Sequence, residues 1–379
     1  MKLKKRIVSI SLAVFMVVTI PLQTGAISDN EVKAPSAILM EANTGKILYE
    51  KNSHEKRPCA SITKVMTLLL VMEALDSGKI SLKDIVTTSA HAASMGGSDI
   101  WLKEGETMSV DDLLKATVIM SANDAAVALA EYVAGTEDDF IQLMNQKAAK
   151  LGMKDTTFKN CNGLDEDGHL TSAYDVAIMS AELMKHKKIF DYTKTRIDYV
   201  RGGKTQLVNS NKLIQSYKGI TGLKTGTTGK AGSCVSATAE RNNVSLIAVV
   251  LGCSNTKERF SSAAALLDYG FANWSMAAPQ EPKLSSVKVT NGINDTVEPV
   301  AAASGNLLVP KGKEKEVKST VTLSETLEAP VEKGQIIGKI TYKLGDETLK
   351  ECNICAKTSV SKIDFSAVYK ILLQYVFHF

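Results

Sequence analysis

A very apolar helical segment, whose first turn carries a serine and a lysine, limits the folds that this chain can adopt. Residues 58–75 read PCASITKVMTLLLVMEAL. From Val65 onward, apolar side chains cover all sides of the predicted helix, so we expect it to be buried along its length. Lys64 would then lie at the edge of a core, where an ammonium ion is unstable unless it is paired or loses its proton. The segment therefore predicts a core helix whose lysine either reaches outward to solvent or has a chemical role.

The first 26 residues are typical of an export signal. Basic residues at positions 2, 4, 5 and 6 precede an apolar run over 7–20 and a small-residue cleavage site at 24–26. The run is shorter than the roughly 20 residues that a spanning helix needs, so we expect cleavage after Ala26 rather than retention. The mature protein is then predicted to act outside the cytoplasm.

Charge, cysteine and histidine patterns exclude several kinds of site. Loss of the four basic signal residues takes the formal net charge from +4 to 0, so no nucleic-acid partner is expected. The six cysteines have no disulfide-framework spacing and are predicted to be free thiols. Cys352 and Cys355 would face opposite sides of a strand. The five histidines are scattered, so we expect no metal site and no cofactor.

The order of predicted elements defines an α+β domain at roughly residues 34–278. A hairpin over 37–42 and 46–50 comes first, and strands over 219–225, 233–239 and 244–252 come late, followed by a closing helix over 261–274. Helical patterns lie between them over 61–134, 138–150 and 172–185. Strands at both ends of the segment predict one antiparallel sheet in which the first hairpin pairs with the late strands, packed against a helical cluster.

The pattern of residue types changes after the linker at 279–282. Residues 283–360 alternate short Val, Ile and Thr runs with Gly, Asn and Pro turns, which predicts a small all-β domain. Residues 361–379, SKIDFSAVYKILLQYVFHF, predict a helix with a narrow polar stripe on a wide apolar surface. This helix is too short to span a membrane, and we favour its lying in the membrane surface over its docking on the β-domain.

Three short motifs in one order carry the chemistry of the first domain. They are Ser61-Ile62-Thr63-Lys64, Ser121-Ala122-Asn123 and Lys224-Thr225-Gly226. Each alone is weak, since the first could be a helix cap with an exposed lysine and the last an ordinary turn. Together they match the set known from class A β-lactamases and penicillin-binding proteins, with Ala122 in the middle motif where that set has aspartate.

On these motifs the chain resembles the low-molecular-mass penicillin-binding proteins of peptidase family S11, which are serine-type D-alanyl-D-alanine carboxypeptidases. The stretches that carry the resemblance are 37–67, 118–131, 162–169 and 222–239. The resemblance implies a β-lactamase/transpeptidase-like antiparallel sheet with a helical cluster, followed by a small all-β C-terminal domain. It also implies that the peptide bond between the last two D-alanines of a peptidoglycan stem peptide is the substrate and that β-lactams acylate the enzyme.

The residues themselves support a serine nucleophile with a lysine base. Ser61 and Lys64, three apart in a helix, lie on one face and within hydrogen-bond reach. A lysine accepts the serine proton only if its pKa is lowered, and burial together with a second cation, Lys224, would do this. The free N–H groups at the helix start favour an oxyanion at Ser61. The resemblance implies that Ser121 relays a proton to the departing D-alanine.

The resemblance also assigns substrate-binding roles. Asn123 would hold the substrate amide, and Lys224 and Thr225 would bind the terminal carboxylate. Gly226 would let the substrate backbone approach the strand, and the backbone N–H of Thr227 would complete the oxyanion hole with that of Ser61.

Several departures and alternatives stay open at this point. Many relatives have histidine where this chain has Thr227, and an arginine expected before the apolar strand is replaced by Ser245, with Arg241 nearby. Cys59 is interpreted as a small core residue rather than a nucleophile. The alternatives are a β-lactamase, for which Glu166 would be the candidate deacylating residue, and a non-catalytic sensor of wall peptide or β-lactam.

Overall fold

The computed structural model of the chain describes residues 27–28, 30–366, 368–369 and 372–373. The predicted signal at 1–26 lies outside the described residues.

A five-stranded antiparallel sheet in the order β2-β1-β9-β8-β7 organises the first domain. The strands of this domain are β1 (Ser36–Glu41), β2 (Ile47–Lys51), β3 (Ile85–Thr87), β4 (Thr107–Ser109), β5 (Ile197–Val200), β6 (Thr205–Val208), β7 (Ile220–Thr228), β8 (Gly232–Arg241) and β9 (Val244–Cys253). Ala37 of β1 lies opposite Val250 of β9, so the first hairpin joins the late strands as predicted. The small two-stranded sheets β3-β4 and β5-β6 were not predicted.

Helices pack on both faces of this sheet. They are α1 (Lys64–Asp76), α2 (Ala90–Ala93), α3 (Val110–Lys115), α4 (Asn123–Ala134), α5 (Glu137–Lys150), α6 (Ala173–Lys185), α7 (Ile189–Thr193), α8 (Leu213–Ser216) and α9 (Thr256–Asn273). Ile247 and Val249 of β9 share a core with α1, whereas Leu246 and Ala248 face the second core, which contains Leu266 of α9. Alternate residues of one strand therefore serve two cores, which explains why β9 is apolar throughout.

The closing helix is longer than predicted, and the helical region over 61–134 is interrupted. Helix α9 begins at Thr256 rather than 261, because Asn255 caps it by accepting the N–H of Glu258. The paired strands β3 and β4 and a π-helical turn, Ala116–Met120, break the earlier region into separate pieces.

The predicted all-β character of the C-terminal part is confirmed. Its strands are β10 (Trp274–Ala277), β11 (Val287–Thr290), β12 (Thr296–Val297), β13 (Pro299–Ala301), β14 (Leu307–Pro310), β15 (Lys318–Leu323), β16 (Thr326–Glu328), β17 (Ile336–Leu344) and β18 (Glu347–Ala356). They form sheets β13-β18-β17-β15, β12-β11-β16 and β10-β14. A separate hydrophobic core lies between them, with Tyr342 and Ile354 at its centre.

The described part of the C-terminal tail is helical at 365–366, 368–369 and 372–373. Its apolar side chains are exposed, and Phe365 reaches 87% exposure. Within the residues that the structure describes, no helix combines the length and apolarity needed to cross a membrane.

Candidate active site

The first motif forms a tight turn that delivers a serine and a lysine to one point. Ala60–Thr63 is a 3-10 turn and Lys64 is the first residue of α1. Lys64 Nζ lies 3.2 Å from Ser61 Oγ. The predicted burial of α1 is confirmed, and the alternative in which Lys64 reaches outward is wrong, because the residue is completely buried.

The surroundings of Lys64 suit a neutral amine. Its Nζ contacts two carbonyl oxygens, Asn123 Oδ1 at 2.5 Å and the Asn162 backbone oxygen at 2.7 Å, in addition to Ser61 Oγ. Burial lowers the pKa of Lys64 from 10.5 to about 7, against the opposing carboxylates of Asp99 and Asp124. A neutral amine has two N–H bonds for the two carbonyls and one lone pair left for the serine hydroxyl proton.

The second and third motifs meet across the cleft. The π-helical turn ends at Ser121, whose backbone is left-handed (φ 66°) and whose hydroxyl accepts a hydrogen bond from Lys224 Nζ at 2.8 Å. Lys224 also donates to the backbone oxygen of Thr225. Burial, with the charges of Lys64 and Arg259 added, holds the pKa of Lys224 well below its ordinary value. The structure thus brings Ser121 of the second motif into contact with Lys224 of the third, close to the Ser61–Lys64 pair of the first.

Gly226 is required by the protein's own packing. A Cβ at this position would lie 2.7 Å from the Cys59 backbone oxygen and 2.9 Å from the Ser61 backbone nitrogen. The turn that carries Ser61 therefore rests directly on strand β7. This contact accounts for the glycine without the substrate approach expected from the sequence. Thr225, on the same strand, hydrogen-bonds Ser210 Oγ at 2.7 Å.

Arg259 is a site residue that the sequence analysis missed. It lies near the start of α9, and its Nη1 donates to the Gly226 oxygen at 3.1 Å and to Thr227 Oγ1 at 3.0 Å. Arg241, noted from the sequence, instead stacks on the rings of Tyr217 and Phe271. No local motif marks Arg259, because the intervening strands β8 and β9 must fold before it reaches β7.

Ser245 lies at the far end of the sheet from the site. It pairs with Glu240 at the β8-β9 turn, four residues along β9 from Val249, which lies opposite Ser236. Ser236 in turn lies opposite Lys224 on β7. At about 3.3 Å per residue, Ser245 is displaced by roughly 13 Å along the strand. The comparison of Ser245 with a site arginine was therefore wrong.

The loop over 159–169 closes one side of the site. A backbone oxygen of this loop, that of Asn162, accepts from Lys64. His169 Nδ1 accepts the Lys159 N–H, so its Nε2 carries the proton that it donates to Thr63 Oγ1 at 2.7 Å. Burial lowers the pKa of His169 to about 4, which keeps the ring neutral. Glu166 is exposed on this loop, and its carboxylate accepts from Asn160.

Cys59 is a core residue, as predicted. It is completely buried, and burial raises its pKa to about 12. A thiol of this kind carries no thiolate at neutral pH and is a poor nucleophile. All six cysteines are free thiols in the structure. Cys352 is buried whereas Cys355, on the same strand, is partly exposed, in agreement with the predicted opposite faces.

A serine in contact with a completely buried lysine on an α+β scaffold is the arrangement found in serine-type acyl hydrolases. Residues 23–255 match the family described as D-alanyl-D-alanine carboxypeptidase, and residues 278–362 match the C-terminal domain of penicillin-binding protein 5. The chain belongs to this D-alanyl-D-alanine carboxypeptidase family.

Individual relatives agree with the family match. The chain is 44% identical over 344 residues to the D-alanyl-D-alanine carboxypeptidase DacF of Bacillus subtilis, which covers 89% of this chain and 88% of that protein. Penicillin-binding protein 5 of Haemophilus influenzae has a similar structure, with a TM-score of 0.77 and 32% identity over 89% of this chain and 100% of its own. Penicillin-binding protein D2 of Listeria monocytogenes, in an ampicillin-bound form, gives a TM-score of 0.59 and 34% identity over 63% of this chain and 98% of its own.

Proposed function

We propose that this enzyme removes the terminal D-alanine from peptidoglycan stem peptides through an acyl-enzyme on Ser61. The observation that carries the proposal is the contact of Ser61 Oγ with a buried lysine whose other two partners are carbonyl oxygens. That geometry leaves the lone pair of Lys64 directed to the serine proton. The family match and the carboxypeptidase relatives support the same reaction.

In the acylation step, Ser61 Oγ attacks the carbonyl carbon of the penultimate D-alanine and its proton passes to Lys64 Nζ. The backbone N–H groups of Ser61 and Thr227 are proposed to hold the resulting oxyanion. The hydroxyl of Ser121, which accepts from Lys224, then delivers its proton to the leaving nitrogen, and the proton that Lys64 took from Ser61 replaces it. The C–N bond breaks, free D-alanine departs, and a water molecule hydrolyses the ester to regenerate Ser61.

Substrate binding is assigned to the edge of β7. Lys224 and Thr225 would bind the terminal carboxylate, and Asn123 the substrate amide. Arg259 adds a fixed positive charge beside Thr227 and the Gly226 carbonyl, so this end of the cleft favours an anion. This positive charge belongs to a buried side chain of the protein itself.

The same site would open a β-lactam ring and remain acylated. The ampicillin-bound form of penicillin-binding protein D2 supports this proposal. A β-lactamase is not favoured, since Glu166 is exposed and its carboxylate accepts a hydrogen bond from Asn160, whereas Ser61 Oγ contacts Lys64. A non-catalytic sensor is not favoured either, because Ser61 and Lys64 are intact and in contact.

We further propose the division into an export signal at 1–26, a catalytic domain at 34–278, a β-domain at 283–360 and a membrane-surface helix at 361–379. The action of this family on cell-wall peptidoglycan supports an extracytoplasmic location, and we place the enzyme on the outer face of the cytoplasmic membrane. Exposed Phe365 and Tyr369 support the tail as the attachment. Co-sedimentation with anionic vesicles should require residues 361–379, and binding that survives their deletion contradicts the attachment.

The reaction is tested by D-alanine release from diacetyl-L-Lys-D-Ala-D-Ala. The parent chain should release D-alanine, and Ser61→Ala should reduce release by at least about a thousandfold, since the acyl-enzyme cannot form. Ser286→Ala, an exposed serine outside the site, is the matched control and should behave as the parent. Rapid turnover of penicillin would indicate the lactamase instead. Labelling by penicillin without any D-alanine release would indicate the sensor.

A further inference from the structure

Trp101 is an exposed indole on a backbone conformation that large side chains rarely adopt. Its relative exposure is 72% and its φ is +56°. A left-handed backbone is costly for a bulky residue, and an exposed tryptophan leaves a large apolar area in water. The left-handed backbone and the exposed apolar area both make the folded protein less stable. The packing of the core accounts for neither of them.

The segment around Trp101 is held rigidly in this conformation. The carboxylate of Asp124 accepts the N–H of Ile100 at 3.1 Å and that of Leu102 at 2.9 Å, one on each side of the tryptophan. From the other side Arg201 donates to the carbonyl oxygens of Ile100 at 2.8 Å and Trp101 at 3.4 Å. Glu106 in turn fixes Arg201 with two hydrogen bonds. The indole is therefore presented outward by a preorganised loop.

This loop is continuous with the wall of the active site. Asp124 directly follows Asn123, whose side chain contacts Lys64. The backbone N–H of Asn123 donates to the Ser98 oxygen at 2.6 Å, and its side-chain amide donates to the Gly96 oxygen at 2.6 Å. One short segment, 96–102, thus contacts a catalytic-site residue at one end and presents Trp101 at the other.

The surface around the indole is an open hollow with a polar rim. Its volume is about 620 Å³, and its lining includes Lys103, Glu104, Glu106 and Arg201 beside Trp101. A pyranose ring is complementary to this surface, because its C–H face is apolar and its edge carries hydroxyl groups. A flat aromatic face with charged side chains around it can stack on the ring and hydrogen-bond the edge.

We propose that Trp101 is a binding platform for a sugar ring of the glycan strand to which the stem peptide is attached. The inference rests on the proposed function, because the peptide held at Ser61 sets which part of the wall polymer reaches the hollow. A saccharide is favoured over a lipid surface because the rim is charged rather than apolar, and continuity with the peptide site favours it over a separate protein partner.

The test compares two substrates that share one terminal peptide. The first is diacetyl-L-Lys-D-Ala-D-Ala, and the second is the same peptide sequence linked to an N-acetylglucosaminyl-N-acetylmuramyl disaccharide. Trp101→Ala should lower kcat/KM for the disaccharide-linked substrate by about three- to tenfold, mainly through KM, as expected for loss of one aromatic stacking contact. The free peptide should change less than about twofold. Trp101→Phe, which keeps an aromatic face, should retain most of the preference.

Binding separates this proposal from the proposed reaction. The full chain carrying Ser61→Ala is titrated with the disaccharide-linked peptide by calorimetry, with and without Trp101→Ala, so no turnover is needed. Weaker binding only of the sugar-linked ligand supports the platform. Equal loss for both ligands shows that Trp101 merely supports the site loop and overturns the proposal. The proposal is also overturned if Trp101→Ala weakens the binding of neither ligand, or if it weakens only the binding of the protein to phosphatidylglycerol vesicles. Absence of D-alanine release by the parent chain counts only against the proposed reaction.

Discussion

The state of Lys64 gives a quantitative prediction for the pH dependence of acylation. With a pKa of about 7, the neutral amine that accepts the Ser61 proton makes up roughly half of the molecules at that pH, about a tenth one unit lower and about a hundredth two units lower. The second-order rate constant for labelling by a fluorescent penicillin should follow these fractions and reach a plateau above about pH 8.

The origin of the lowered pKa can be examined with one further variant. Burial lowers the pKa of Lys64, and the carboxylates of Asp99 and Asp124 oppose that effect. Asp99→Asn keeps the shape of the side chain and removes one opposing charge, so the midpoint of the profile should move to lower pH. Circular dichroism at each pH controls for unfolding. A rate that is flat between about pH 5 and 8, or a midpoint close to the ordinary lysine value of 10.5, would refute the assignment of Lys64 as a neutral base.

The protonation of Lys64 also makes the free energy of unfolding depend on pH. The folded pKa is about 7 and the ordinary value is 10.5, so between them the unfolded chain holds a proton that the folded chain lacks. The contribution of Lys64 to the free energy of unfolding therefore rises with pH across this window and is lost as the pH falls through it.

Three further substitutions test other contacts. Gly226→Ala should displace the turn that carries Ser61, because the new Cβ meets backbone atoms at 2.7 and 2.9 Å. The rate of penicillin labelling should therefore fall at least about tenfold. An unchanged labelling rate would contradict the close approach of the turn to the strand. Arg259→Met removes the donor to the Gly226 oxygen. Steady-state assays should then show that KM for the peptide rises about tenfold, with a smaller change in kcat. An unchanged KM would exclude a role of Arg259 in binding the peptide. His169→Ala should reduce the free energy of unfolding in urea by about 1–3 kcal/mol, since the buried Thr63 hydroxyl and the partly buried Lys159 N–H both lose the ring as a partner. No change in that free energy would show that water replaces the ring.

The sequence predicted the contact between Ser61 and Lys64 because their relation is local. Spacing by three in a helical turn places Ser61 beside Lys64 whatever the rest of the chain does. The apolar run after Lys64 also predicted its burial, which is the physical cause of its lowered pKa. The sheet followed from strands at both ends of the domain, because each strand showed a clear apolar pattern.

The parts that escaped prediction depend on tertiary contacts or on very short elements. Arg259 enters the site from a helix 33 residues after Gly226 in the sequence, so no spacing rule connects them. The need for glycine at 226 is visible only when the turn of Ser61 is placed on the strand. Strands β3 and β4 have three residues each, which is shorter than the length at which alternation can be recognised.

Helix α9 contacts strand β7 of the catalytic site near its start and continues into the C-terminal part at its end. Arg259 lies near its start, against β7, and the helix passes at Asn273 straight into β10, whose residues pair with β14 of the C-terminal part. About 14 residues of helix, roughly 21 Å, separate the two contacts. A packed helix of this length behaves as a stiff rod, so a tilt of the C-terminal part shifts the guanidinium and the strand it holds. The helix therefore ties the placement of β10 and β14 to the strand that carries Gly226.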